Sequence, residues 1–141
     1  SKVGLAASYL AKDKRIRKIV DKFQRKIVIN ISKRYRGICL DGRDITYNIM
    51  PDADVKFFLT ASIKIRALRR TKELNKNGYN TSINEVYKSI KSRDKSDYTR
   101  SIAPLKITKD AIKINTSNLT IRKTFLILKN KKDKKLSTKF K

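Results

Sequence analysis

The sequence predicts an α/β fold in which short strands alternate with amphipathic helices. Three observations carry this. Ile38-Cys39-Leu40 and residues 55–60 are short apolar runs of strand length, and residues 111–115 form a third, with Ile112 and Ile114 on one face. Capped helical patterns separate the second run from the third. The stretch from Asp41 to Ser62 also reads strand, charged turn, strand, basic helix. Ligands of open α/β sheets sit beyond the carboxyl ends of strands, so this is nucleotide-site architecture.

The elements follow in order. Val3, Ala6, Ala7 and Leu10 give one face of a short helix. Asp13 caps a second, with Ile16, Ile19, Val20, Phe23 and Ile27 as its apolar face. Residues 30–36 read as a basic, solvated loop. Behind Gly37, the run at 38–40 reads as a buried strand, and Asp41-Gly42 turns the chain. Arg43 then offers a fork of donors for phosphate, and Asp44 offers acceptors for a base amine or a ribose hydroxyl.

After the strand at 55–60, Ser62 caps a helix that ends near Asn77, with Gly78 at the C′ position and Ile63, Ala67 and Leu74 as its packing face. Arg66, Arg69 and Arg70 stand at i, i+3 and i+4, and Glu73 is the only carboxylate near them in sequence. Three such guanidinium groups repel one another unless an anion lies between them. Ser82 and Glu85 make a capping box ahead of a face of Ile83, Val86, Tyr87 and Ile90. Arg93, Asp97 and Arg100 follow at i, i+4 and i+7, where they form either an intrahelical ion-pair ladder or a nucleotide clamp. Thr120 caps a last helix packed through Ile121, Phe125 and Leu128, and beyond Asn130 the chain reads as a lysine tail.

Composition narrows the chemistry. The 141 residues amount to one domain, with 39% apolar residues and a net charge of +25, which calls for an anionic partner. No histidine is present, so a His-based triad, a His-zinc site and an imidazole base are excluded. Phosphoryl transfer survives that exclusion, because it relies on positioning and electrostatics. A single cysteine, Cys39, rules out a disulfide framework and fits a reducing cytoplasm. No apolar run reaches membrane-spanning length, and no signal peptide is expected.

The stretch Asp41-Gly42-Arg43-Asp44-Ile45 with Pro51-Asp52-Ala53 resembles bacterial cytidylate kinase, whose pattern there is close to DGRDIGTVVFPDA. Arg66, Ala67, Arg69 and Arg70 fall at the spacing of the family's lid arginines. Arg93, Asp97 and Arg100 with Pro104-Leu105 match its RD..D..R motif and the PL pair after it. The chain departs at Thr46, Tyr47 and Asn48, where the family has Gly-Thr-Val, and at Asn115, where it often has Asp.

The resemblance implies a P-loop nucleoside monophosphate kinase-like parallel sheet with flanking helices. It implies transfer of the ATP γ-phosphoryl group to CMP or dCMP with Mg²⁺, in a cytoplasmic monomer with no membrane partner. Ser8, Arg17 and Asp44 would face the base, while Arg43, Arg93, Asp97 and Arg100 would hold phosphate and ribose. Arg69 and Arg70, with Arg66, would close on the phosphoryl group as the catalytic set. No protein metal ligands are identifiable. Residues 1–130 would be the C-terminal part of the kinase domain, with the lid helix at about 62–77, and residues 131–141 a basic tail.

Kinases of this class hold ATP with a G-x-x-x-x-G-K-[ST] loop. The glycines here stand at 4, 37, 42 and 78, and none can build it. The expectation is therefore a chain matching the C-terminal two-thirds of the family, without its first strand and P-loop and inactive alone. The alternatives are a small basic nucleic-acid-binding protein and a degenerate, non-catalytic CMP-binding fragment.

Overall fold

In the computed structural model, residues 13–139 are described. The helix expected around Val3–Leu10, and Ser8 with it, lies outside them. The described elements are α1 (Lys14–Ser32), a π-helical turn (Ile45–Ile49), β1 (Phe57–Thr60), α2 (Ile63–Lys76), α3 (Ile83–Thr99), β2 (Ile112–Asn115) and α4 (Ile121–Lys139). The chain divides into two compact units. One takes in the chain up to Asp52 together with Tyr98–Lys106, and the other Ala53–Asp97 together with the chain from Ile107 onward. Among the described residues, no helix is long and apolar enough to cross a membrane.

In the first unit, Asp13 caps α1 as its sequence position requires, accepting from the backbone N–H groups of Arg15 at 2.7 Å and Ile16 at 3.3 Å. The helix packs on the π-helical turn, and Val28 and Ile49 are the buried apolar residues among those described in this unit. Its end differs from expectation: α1 continues to Ser32, because nothing between Asn30 and Ser32 breaks a helix. The expected apolar face differs more. Ile19 is 68% and Phe23 63% exposed, so the stripe is amphipathic in pattern and uncovered in fact.

Residues 37–40 form no strand, and Cys39 is exposed. A three-residue run carries no hydrogen bonds of its own and needs a ladder partner. The one sheet among the described residues pairs β1 with β2. The π-helical turn is closed by the Met50 N–H donating to Ile45 O at 2.8 Å. Gly42 is needed for space, since a Cβ there would lie 2.7 Å from Ile45 Cγ1. Thr46 needs no glycine: among the described non-glycine residues only Ala103 has positive φ.

The second unit is built on the parallel β1·β2 ladder, with Phe57 opposite Ile112 and Thr60 opposite Asn115. The ladder extends at both ends, through Ile112 N–H to Lys56 O at 2.8 Å and Thr116 N–H to Thr60 O at 2.7 Å. Ile114 is buried on the face that the alternation assigned to it. Ser62 caps α2 through Ile65 N–H. The helix closes in a Schellman motif, with Gly78 N–H on Asn75 O at 3.1 Å, Tyr79 N–H on Leu74 O at 3.0 Å and Gly78 at φ +83°. Ala67 on α2 is fully buried.

The Ser82–Glu85 capping box forms in both directions, and the Ser82 N–H and hydroxyl, both donating to Glu85 Oε2, hold the Glu85 carboxyl below the usual range. Thr120 caps α4 through Lys123 N–H. Residues 131–139, expected as a tail, are helical. Lysine and leucine are good helix formers, and the far end is tied down by Lys135 to Asp110 O and by a Lys139–Asp54 ion pair. Ile121 and Phe125 are exposed at 92% and 62%, contrary to their expected packing role.

Candidate active site

In the first unit α1 and the π-helical turn bring four side chains together around Asp44, which is 7% exposed. Arg17, one turn into α1, forms an ion pair with Asp44, and its Nε lies 3.2 Å from Asp21 Oδ1. Asn48, four residues beyond Asp44, donates its amide to Asp44 Oδ2 at 2.9 Å and to Asp21 Oδ2 at 2.8 Å. Arg25 donates in turn to Asn48 O at 2.6 Å. Two carboxylates side by side would repel, and Arg17 and Asn48 supply the donors that hold them. The result is a fixed acceptor beside a fixed fork of donors, able to read the polar edge of a base.

Tyr47 completes the cluster. Its hydroxyl donates to Pro104 O, and the Lys106 ammonium stands 4.2 Å from its ring centroid. Burial, and next the Asp44 carboxylate, raise the phenol above its ordinary pKa, so it stays a neutral donor; Arg100 and Arg17 oppose the shift. Arg100, just beyond α3, donates from Nε to Ala103 O at 2.7 Å. Ala103 has φ 47°, a left-handed conformation costing about 1–2 kcal/mol for a residue with a Cβ. Donors thus grip two successive carbonyls at a strained point. Arg43 is half-buried in this unit. A cleft of about 300 Å³ opens between Ile102 and one side of α1, where Asp21 is the one acid among Lys14, Arg17, Lys18, Lys22 and Arg25. Its wall is cationic, as an anionic ligand requires.

The second unit holds Arg66, Arg69 and Arg70 on α2 and Arg93 and Asp97 on α3. Asp97 is 5% exposed, whereas Arg93 is exposed. The three α2 arginines do not share one anion. Arg66 forms a bidentate pair with Asp94, Nη1 to Oδ1 at 2.9 Å and Nη2 to Oδ2 at 2.5 Å, while its Nε donates to Ala61 O at 3.0 Å. Arg69 donates to the carbonyls of Thr116 at 2.6 Å and Leu119 at 3.1 Å. Arg70 bonds Glu73 on its own helix at 2.5 Å, both side chains about half exposed. Glu73 is therefore not the only carboxylate near them, because α3 supplies Asp94.

Sequence reasoning gave no role to Asp94, Asp21, Asn48 or Tyr47, though Asp94 stands in the quoted RD..D..R motif. Asn48 and Tyr47 registered only as departures from a pattern. Asp21 has a local signal, four residues after Arg17 on one helix face. Asp94 pairs across 28 positions, and nothing local announces that.

The family model for cytidylate kinase matches residues 1–131. The chain is 53% identical over 92 residues to a cytidylate kinase of Clostridium botulinum (strain Langeland), covering 65% of this chain and 42% of the relative. It is 45% identical over 133 residues to the cytidylate kinase of Thermosipho melanesiensis, covering 94% and 59%. With that of Mesomycoplasma hyopneumoniae the identity is 44% over 114 residues, covering 81% and 48%. The chain spans about half the length of the curated relatives it matches. A match running through the Asp44 cluster and the arginine helix, on a parallel α/β frame, settles the descent: the chain belongs to the cytidylate kinase family, with the P-loop nucleoside monophosphate kinase-like fold of that family.

Proposed function

We propose that this chain carries the nucleoside monophosphate site and the lid of a (d)CMP kinase, a cytoplasmic monomer that moves the γ-phosphoryl of ATP to CMP or dCMP, giving CDP or dCDP. The observation that carries the reading is Asp44, buried and fixed by Arg17 and Asn48. An ionised carboxylate is acceptor-only, so it suits the exocyclic amine of cytosine and rejects the carbonyl that uracil has in its place. Arg17 supplies the donors beside it, and the family resemblance assigns Ser8, which lies outside the described residues, to the same base.

Arg43, Arg93 and Arg100 are the residues assigned to phosphate, and Asp97 the one that accepts from the ribose hydroxyls. Arg69 and Arg70 neutralise the charge developing on the transferring phosphoryl group. Mg²⁺ is implied with ATP and would neutralise charge on its phosphates.

The 141 residues contain no G-x-x-x-x-G-K-[ST] loop, so alone they lack the amide cradle and the lysine for the β- and γ-phosphates. Coupled detection of ADP tests both halves of the reading. Joined to a family segment bearing the P-loop, the chain should phosphorylate CMP and dCMP well ahead of UMP; alone, it should release no ADP with CMP present. Equal use of CMP and UMP by the joined protein would overturn the base assignment. Turnover of about 1–100 per second by the 141 residues would overturn the claim of dependence.

A further inference from the structure

The three α2 arginines differ in how they are held. Arg66 commits its Nε and both terminal nitrogens, two of them to the two oxygens of Asp94. A planar guanidinium facing a planar carboxylate in this fork is the strongest and most directional ion pair available to side chains. The Arg66 side chain is 35% and that of Asp94 20% exposed, so water screens the pair less than an open surface pair. The pair joins α2 to α3, and the Nε bond to Ala61 O ties the same side chain to the turn before α2. Arg70, by contrast, holds one bond to Glu73 within its own helix, at 46% and 56% exposure, an arrangement worth only a few tenths of a kcal/mol.

We infer that Asp94 and Arg66 are positioning residues, a staple that fixes the arginine helix against the helix bearing Arg93 and Asp97, and that Arg70 is the α2 arginine that leaves its partner to take a phosphate. The second half rests on the lid reading above. The first half stands on the geometry alone. It excludes the other role for Asp94, that of a stand-in anion from which Arg66 is released when phosphate arrives.

The two roles give opposite signs. Asp94→Asn makes the chain one unit more positive and, on the stand-in role, would raise affinity for tripolyphosphate by unmasking Arg66. On the staple role it lowers that affinity about tenfold, the coupling typical of side chains in contact. Asp94→Glu, which keeps the fork, restores most of it. In amide hydrogen exchange on the 141-residue chain, Asp94→Asn and Arg66→Lys should each speed α2 and α3 together, and the double variant should add little to either. Arg70→Ala should leave both helices unchanged.

In the unaltered chain the Arg66 Nε–H should exchange more slowly than that of Arg70, and tripolyphosphate should shift the Arg70 resonance and spare that of Arg66. Raised affinity in Asp94→Asn, additive exchange effects, or equal Nε–H exchange at Arg66 and Arg70 would overturn the staple. If tripolyphosphate shifts neither arginine while the exchange results hold, the lid reading falls and the staple stands.

Discussion

Asp44→Asn is the sharpest single perturbation of the cluster around Asp44. The two side chains of the ion pair are 9% and 15% exposed, so the bond sits where water screens it little. Breaking a buried pair by removing one charge costs about 3–5 kcal/mol when the other charge is left alone. Arg17 is not left alone here, because Asp21 stays 3.2 Å from its Nε. The amide also keeps the volume and one acceptor oxygen. What goes is the charge assistance in the Arg17 bond, and Asn48 must now donate to a neutral group. A loss near 2 kcal/mol follows, toward the low end for bonds to charged groups. Amide exchange in α1 and in the π-helical turn reads this locally, and 2 kcal/mol corresponds to about 30-fold faster exchange. Exchange unchanged in both elements would show that the ion pair does not hold α1 to the turn.

Other outcomes follow from the same structure. The Lys56 ammonium, 2.7 Å away and 7% exposed, holds the Asp110 carboxyl at about 2, below its ordinary 3.8. A depressed carboxylate contributes stability that is present above pH 3.8 and lost as pH falls toward 2. Asp110→Asn should therefore flatten that part of an acid titration followed by β-strand amide exchange; an unaltered acid limb would contradict the pairing. Gly78→Ala should cost about 1 kcal/mol through φ +83° alone, since nothing lies within 4 Å of the added Cβ. A neutral result in urea titration of α2 helicity would deny the Schellman end. In a chain joined to a P-loop segment, Asp97→Ala should raise KM for CMP far more than KM for ATP. Matching losses toward both nucleotides would favour a purely structural Asp97.

Local chemistry was the legible part. Asp13, Ser62, Ser82 with Glu85, Thr120 and Gly78 each act where their type and position put them, because caps depend on neighbours within a few residues. The two strands that found each other were legible as well, one residue shorter at 112 and two at 57 than their apolar runs. Periodicity failed where it was asked for occupancy. The stripes through Ile19 and Phe23 and through Ile121 and Phe125 show which side of a helix is apolar, and cannot show whether anything covers it. The run at 38–40 failed for the related reason that a strand exists only with its partner. Around these side chains, Asp44 and Arg66 stood out by type and spacing, and Arg17 only through the family resemblance. Their partners Asn48, Asp21 and Asp94 were not singled out, and the 28-position reach from Arg66 to Asp94 is a property of the folded chain alone.

The central claim is that this chain reads cytosine with a fixed carboxylate, and titration of the 141-residue protein with CMP, UMP and AMP tests it most directly. The account predicts that CMP binds at least tenfold tighter than UMP or AMP, that this preference survives added salt, and that Asp44→Asn abolishes it. Equal affinity for the three nucleotides, with binding that collapses steeply as salt rises while RNA binds tightly, would contradict it and leave only a basic surface attracting polyanions.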